Sequence, residues 1–123
     1  MSYYTNFWGH FTISPPLAGT ALAELRARLD ADWIKPAAPD DRSRPVYACH
    51  WEPAASGARL CWDGAENFRD YDVWLGYLIE HFFAPRGHTL DGEVRYSGED
   101  GDDEGLLRIT RNRVTMEPIE PAF

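Results

Sequence analysis

Phe7, Gly9, Phe11 and Ile13 alternate along the chain with Trp8, His10 and Thr12. That period of two marks a strand with one face buried. It predicts a strand over residues 4–14, ended by Pro15 and Pro16, which have no N–H to give a ladder. Leu22, Leu25, Leu29 and Trp33 then recur at helical spacing, predicting a helix over residues 17–33 with an apolar stripe. Glu24, four residues before Arg28, forms a favourable pair on that helix. Pro36, Pro39, Asp40, Asp41 and Ser43 make residues 34–45 a loop.

Residues 46–52 and 58–63 read as the strands of a hairpin joined through residues 53–57. The clearest helix spans residues 64–84: Phe68, Tyr71, Leu75, Leu78, Ile79 and Phe82 share a face. Asp63 is expected to cap its start, and Pro85 and Gly87 to stop it. Leu90, Val94 and Tyr96 alternate with Asp91, Glu93 and Arg95, so residues 89–97 form a strand. An acidic loop over residues 98–105 leads to a last hairpin, residues 106–111 and 113–117, turning near Asn112. The order is β-α-β-β-α-β-β-β. Short links between successive strands favour antiparallel pairing. The expected fold is therefore α+β: an antiparallel sheet of five to six strands, with two amphipathic helices on one face. Residues 1–117 make one domain and residues 118–123 a flexible tail.

At 123 residues the chain is long enough for a single core. It has no run of 18 apolar residues and no basic start followed by an apolar stretch, so a cytoplasmic location is expected. In that compartment Cys49 and Cys61 would be reduced and packed as small apolar groups. A hairpin centred on Ala55 would set them opposite each other, which leaves a disulfide as the alternative.

Charge changes the picture most. Of the formal net charge of −8, residues 1–60 contribute nothing, residues 61–105 contribute −9 and residues 106–123 contribute +1. Glu99, Asp100, Asp102, Asp103 and Glu104 put five carboxylates into six residues, a loop that repels itself until something positive arrives. Their spacing does not fit a calcium loop, and no metal or other cofactor is expected. Asp63, Glu66 and Asp70 stand at i, i+3 and i+7 of the expected helix, with Tyr77 beside them. Such neighbours lie about 4.5 to 6 Å apart along a helix axis. Duplex DNA likewise presents closely spaced charges, one per roughly 1.7 Å of axis over both strands. A solvated loop and an ordinary wet helix face are the plainer alternatives for these two features. His10, His50, His81 and His88 lie in no catalytic motif, and no nucleophile elbow, zinc helix or Cys-x-x-Cys is present. The protein is therefore expected to work by binding and not by chemistry. Tyr3, Tyr4, Trp8, Trp51, Trp62, Trp74 and Tyr77 exceed what one small core needs, and Trp8 and Tyr77 are expected at the surface.

The opening Tyr3-Tyr4-Thr5…Gly9…Pro15-Pro16-Leu17 and the stretch from Trp62-Asp63-Gly64 through Trp74-Leu75 and Gly92-Glu93-Val94 to Gly98-Glu99-Asp100 resemble small proteins of bacteriophages and mobile elements. No enzymatic motif travels with that likeness. In size and acidity the chain is also similar to anti-CRISPR proteins, some of which mimic DNA. The resemblance implies an inhibitor acting in the bacterial cytoplasm on a basic host protein such as a CRISPR interference complex. It implies no direct contact with nucleic acid or membrane. Asp63, Glu66, Asp70, Tyr77, Glu99, Asp100, Asp102, Asp103 and Glu104 would be its contact residues. A structural or assembly module with an aromatic interface is the alternative. A small hydrolase is a third reading, which would need a cleft and a carboxylate of perturbed pKa.

Overall fold

The computed structural model describes residues 4–30, 49–66, 68–100 and 103–118. Trp33, the expected loop over residues 34–45, residues 46–48 of the expected third element, Asp102 and residues 119–123 of the expected tail lie outside the described residues. The elements are β1 (Thr5–Ser14), α1 (Gly19–Asp30), β2 (Trp51–Pro53), β3 (Arg59–Trp62), α2 (Tyr71–Leu78), β4 (Thr89–Gly98), β5 (Glu104–Thr110) and β6 (Arg113–Pro118). The strands form one antiparallel sheet in the order β2-β3-β1-β4-β5-β6. This is the α+β class that the periodicities predict. The order of elements differs slightly, because α2 runs on through a π-helical turn, Ile79–Phe83, and a 3-10 turn, Ala84–Arg86.

The alternation in β1 sets the layers. Phe7, Phe11 and Ile13 are buried while Trp8, His10 and Thr12 are exposed. Leu60, Leu90, Val94, Tyr96, Leu107 and Ile109 extend the buried face across neighbouring strands. Leu17, Leu25, Trp74, Leu75, Leu78, Phe82 and Phe83 pack into the same cluster from the helical side. The opposite face carries Trp8, His10, Glu93, Arg95, Arg108 and Thr115 and stays largely open.

The second helix is shorter than expected. Residues 64–70 are not helical as far as they are described, and Asp63 is not a helix cap. Gly64 (φ 88°) and Asp70 (φ 56°) both adopt left-handed backbone, which an α-helix cannot contain. Asp70 occupies the N-cap position instead. Phe68 still reaches the core, but as a loop residue, with its ring 5.3 Å from Trp51 and 5.7 Å from Phe7. The π turn inserts an extra residue into the helical spiral, so the adjacent Phe82 and Phe83 are both fully buried. Burying each such side chain contributes about 1.5 to 3 kcal/mol.

The β2–β3 hairpin pairs Trp51 with Trp62 and Pro53 with Leu60. Its centre therefore lies beyond Ala55, Cys61 faces Glu52 and not Cys49, and both thiols are free. Glu24 Oε1 accepts from Arg28 Nη2 at 2.8 Å and from Arg86 Nη2 at 2.6 Å. The Arg86 guanidinium also lies over the Phe82 ring, 4.2 Å from its centroid, clipping α1 to the end of the second helical segment.

The β5–β6 turn is held by two side chains, that of Asn112 and that of Asp91, whose Oδ1 accepts the Arg111 N–H at 2.8 Å. Arg111 (φ 46°) and Asn112 (φ 67°) form a two-residue turn of the kind that suits the right-handed twist of a hairpin. Asn112 Oδ1 accepts the Leu90 N–H at 2.7 Å, and Nδ2 donates to the His88 carbonyl at 3.1 Å. The Asn112 N–H donates to the Leu90 carbonyl at 3.1 Å. Asn112 thus extends the β4 ladder past the last residue of β5.

Candidate functional site: the acidic end of the sheet

Two stretches of chain that are far apart in sequence meet where β1 begins and β3 and β4 end. Thr5 pairs with Gly98 and Ser97 with Glu104, which puts the β4–β5 hairpin at that end. The Trp62 ring, at the end of β3, lies 6.4 Å from Tyr4 and 5.2 Å from Phe7, which brings the start of the β3–α2 connection to the same place. Tyr71, the first residue of α2, has its ring 5.5 Å from that of Tyr96. The phenol of Tyr96 reports on both stretches. Burial raises its pKa, and so do the nearby carboxylates of Asp103, from the hairpin, and Asp72, from α2.

Each expected contact residue can be located except Asp102, which lies outside the described residues. Asp63 leaves the expected helix face. Its Oδ2 is 3.0 Å from His50 Nδ1, and its Oδ1 accepts the Ala65 N–H at 2.8 Å. Glu66 is exposed in the connection that follows. Asp70 is half-buried ahead of α2. The regular i, i+3, i+7 row is therefore absent, because the helix begins at Tyr71. Tyr77 is half-buried and not exposed: its ring stacks 4.2 Å from that of His81 and lies 5.9 Å from that of Trp74.

The hairpin is more tightly built than a self-repelling loop would be. Glu99 Oε1 accepts the Tyr4 N–H at 2.7 Å. The Gly98 N–H donates to the Asp103 carbonyl at 2.7 Å, and the Asp103 N–H to the Asp100 carbonyl at 3.0 Å. Glu104 lies inside β5, where its Oε1 accepts from Ser97 Oγ at 3.1 Å and stands 3.9 Å from Arg95 Nη2. Asp70, Asp100 and Asp103 make further contacts within the protein.

Asp72 was not singled out by the sequence pattern, yet it belongs to this end. Its four-residue distance from Phe68 hid it, since the expected helix put it on no acidic row. Among the described residues the two stretches and the first turn of α2 carry Asp63, Glu66, Asp70, Asp72, Glu99, Asp100, Asp103 and Glu104, with two guanidiniums, Arg69 and Arg95. The opposite end of the sheet carries Arg59, Arg86, Arg111 and Arg113. The sheet is thus electrically polar along its strands.

No group of three or more His, Cys, Asp or Glu among the described residues could hold a metal ion. A cavity of about 410 Å³ is lined by Arg26, Leu29, Cys49, Trp51, Glu52 and Asp63 among others. Burial pushes the Cys49 thiol up to about 12, against the opposing effect of its contact with the Trp51 carbonyl. It is protonated at neutral pH and a poor nucleophile. Trp8, the other aromatic expected at the surface, is 53% exposed on the open face of the sheet, paired with Arg95.

Comparison with protein families, with curated proteins and with solved structures finds no match to this chain.

Proposed function

We propose that the protein is a binding module whose acidic end docks on a basic protein surface of the kind that holds nucleic-acid phosphates. The observation that carries this reading is the meeting of carboxylates from the β3–α2 connection and the β4–β5 hairpin at one end of the sheet. Asp72, from the first turn of α2, and Asp103, from the hairpin, both act on the Tyr96 phenol, which supports it. The Glu99 and Glu104 carboxylates are anchored by the Tyr4 N–H and the Ser97 hydroxyl, and backbone hydrogen bonds hold the turn between them, so less ordering entropy is lost on docking. Occlusion of a partner's phosphate-binding surface would make the protein an inhibitor, with a host defence complex as one such partner.

The attraction acts between exposed charges and weakens as salt rises. The test is capture of partners from a bacterial lysate on immobilised wild type, followed by elution with duplex DNA. The parallel bait carries Glu66→Gln, Asp100→Asn, Asp102→Asn and Asp103→Asn, which remove charge and leave Glu99 and Glu104 to hold the hairpin. The expected partner binds nucleic acid, is displaced by the DNA and is not retained by the neutralised bait. Equal retention by both baits, indifferent to DNA, refutes the reading.

A further inference from the structure

The sheet has two edges, β2 and β6. β2 is an edge of three residues, too short to recruit a strand. β6 is different. It is six residues long, lies at the other edge, contains no Lys, and has Pro only at its last position, Pro118. Its side chains are exposed or half-buried, and Met116 is 44% exposed.

The turn fixes which backbone groups of β6 point outward. Thr110 and Arg113 close a two-residue turn and form a hydrogen-bonded pair, and pair types alternate from there. Arg113, Thr115 and Glu117 therefore spend their N–H and C=O groups on β5, whereas Val114 and Met116 direct theirs away from the sheet. The register agrees with this: Pro118, which has no N–H, falls opposite Gly105 in a pair that needs none.

We propose that β6 is the docking edge for a second copy of this chain, with the two β6 strands antiparallel about a two-fold axis at Thr115. Among antiparallel registers this one uses every outward N–H of the strand, because Val114 and the partner's Met116 exchange both hydrogen bonds, and Met116 does so with the partner's Val114. The side chains match as well. Val114 and Met116 meet on the core-side face, apolar against apolar. On the open face Thr115 meets the partner's Thr115, and Arg113 meets the partner's Glu117. Opposite-charge and Thr–Thr cross-strand pairs both stabilise antiparallel sheets. Glu117 already accepts from Arg108 Nη1 at 2.9 Å through Oε1, which leaves its second oxygen for the incoming guanidinium. Arg113 makes no ion pair among the described residues.

The charge polarity of the sheet favours the same arrangement. An antiparallel edge sets the Arg111–Arg113 end of each protomer beside the partner's acidic end. The product is a continuous twelve-stranded sheet, since each protomer brings six strands. Five residues of edge bury less than a standard interface, so the dimer dissociates on dilution. This inference does not rest on the proposed function, and its tests read the β6 edge without any other partner.

Light scattering coupled to size exclusion, run on the full chain from low micromolar to near-millimolar loading, is the primary test. The mass is expected to rise with concentration from 14.0 kDa toward twice that value. Met116→Pro removes an outward N–H and leaves the β5–β6 ladder complete, so it is expected to stay monomeric with an unchanged far-ultraviolet spectrum. A second arm does not depend on tolerance of proline. In a Cys61→Ser background, Thr115→Cys sits on the axis, where facing Cβ atoms are within disulfide reach. Under mild oxidation it is expected to form covalent dimer at least tenfold faster than Thr110→Cys, which lies on the same face outside the contact. A monomeric mass at every concentration overturns the proposal, as does a dimer that survives Met116→Pro. Equal cross-linking of Thr115→Cys and Thr110→Cys overturns it too.

Discussion

Replacing Asn112 with glycine sets two effects against each other at one position. Asn112 sits at φ 67°, where glycine carries no steric penalty, so the exchange relieves left-handed strain. That relief is worth about 1 kcal/mol, offset in part by the extra freedom of glycine in the unfolded chain. The loss is larger. Asn112 Oδ1 is the acceptor for the N–H of Leu90, a fully buried residue, and Nδ2 supplies the His88 carbonyl. Two hydrogen bonds contribute about 1 kcal/mol each, and a buried N–H left without a partner costs about 1 to 3 kcal/mol. The net expectation is a destabilisation of about 2 kcal/mol. Unfolding entropy near 2.1 cal/mol/K per residue gives about 0.26 kcal/mol/K for 123 residues. The expected fall in Tm is thus about 8 °C, read by circular dichroism. Asn112→Asp keeps the acceptor for Leu90 but replaces the donor with a carboxylate oxygen facing the His88 carbonyl, so its Tm is expected to fall as well. A Tm for Asn112→Gly equal to or above wild type would refute this account and make the turn's backbone strain the dominant quantity.

Two further outcomes follow from packing and ionisation. Gly105→Ala would set a Cβ 2.6 Å from the Glu117 carbonyl oxygen and against the Tyr96 hydroxyl, so β6 or the Tyr96 ring must shift; the expected cost is about 1 to 3 kcal/mol, read by urea unfolding, and an unchanged midpoint contradicts it. Thiol labelling should separate the two cysteines. Burial raises both, Cys49 to about 12, so at pH 8 Cys61 reacts slowly and Cys49 is silent until the protein unfolds. The sign carries over to stability: the unfolded Cys49 thiol ionises near pH 9 while the folded one does not. Its contribution is intact below pH 9 and is lost as pH rises toward about 12. Equal labelling of both thiols in the folded protein at pH 8 would contradict the burial of Cys49.

How much was readable beforehand depended on how local the cause was. The alternation of Phe7, Phe11 and Ile13 against Trp8, His10 and Thr12 is a property of neighbouring residues, and β1 follows it except at Gly9, which is exposed where the pattern puts it on the buried face. The same is true of β4 and of the turn at Asn112. The start of α2 was misread because Phe68 happens to fit the helical spacing of Tyr71 and Leu75. What breaks that helix is the left-handed backbone of Gly64 and Asp70, which leaves no trace in an apolar pattern. The facing cysteines failed for a similar reason: the hairpin turns at Ser56 and Gly57, shifting the register by enough to put Glu52 opposite Cys61. The acidic stretch was legible as composition. Its gathering at one end was not, since that depends on β1 lying between β3 and β4, a long-range choice. Asp72 joins the group only through that arrangement.

The central place of β1 has a consequence for how the chain is made. The strand emerges early in synthesis, yet every residue it pairs with in β4 lies more than seventy residues further along. Until β4 appears, the only strand β1 can pair with is the short β3, although Phe7 and Phe11 can already pack on Trp51. Contacts so distant in sequence close slowly, and exposed apolar strands aggregate while they wait. A ribosome-bound chain halted before residue 89 is therefore expected to hold an incomplete sheet and to need a chaperone's protection, which release of the finished chain would end.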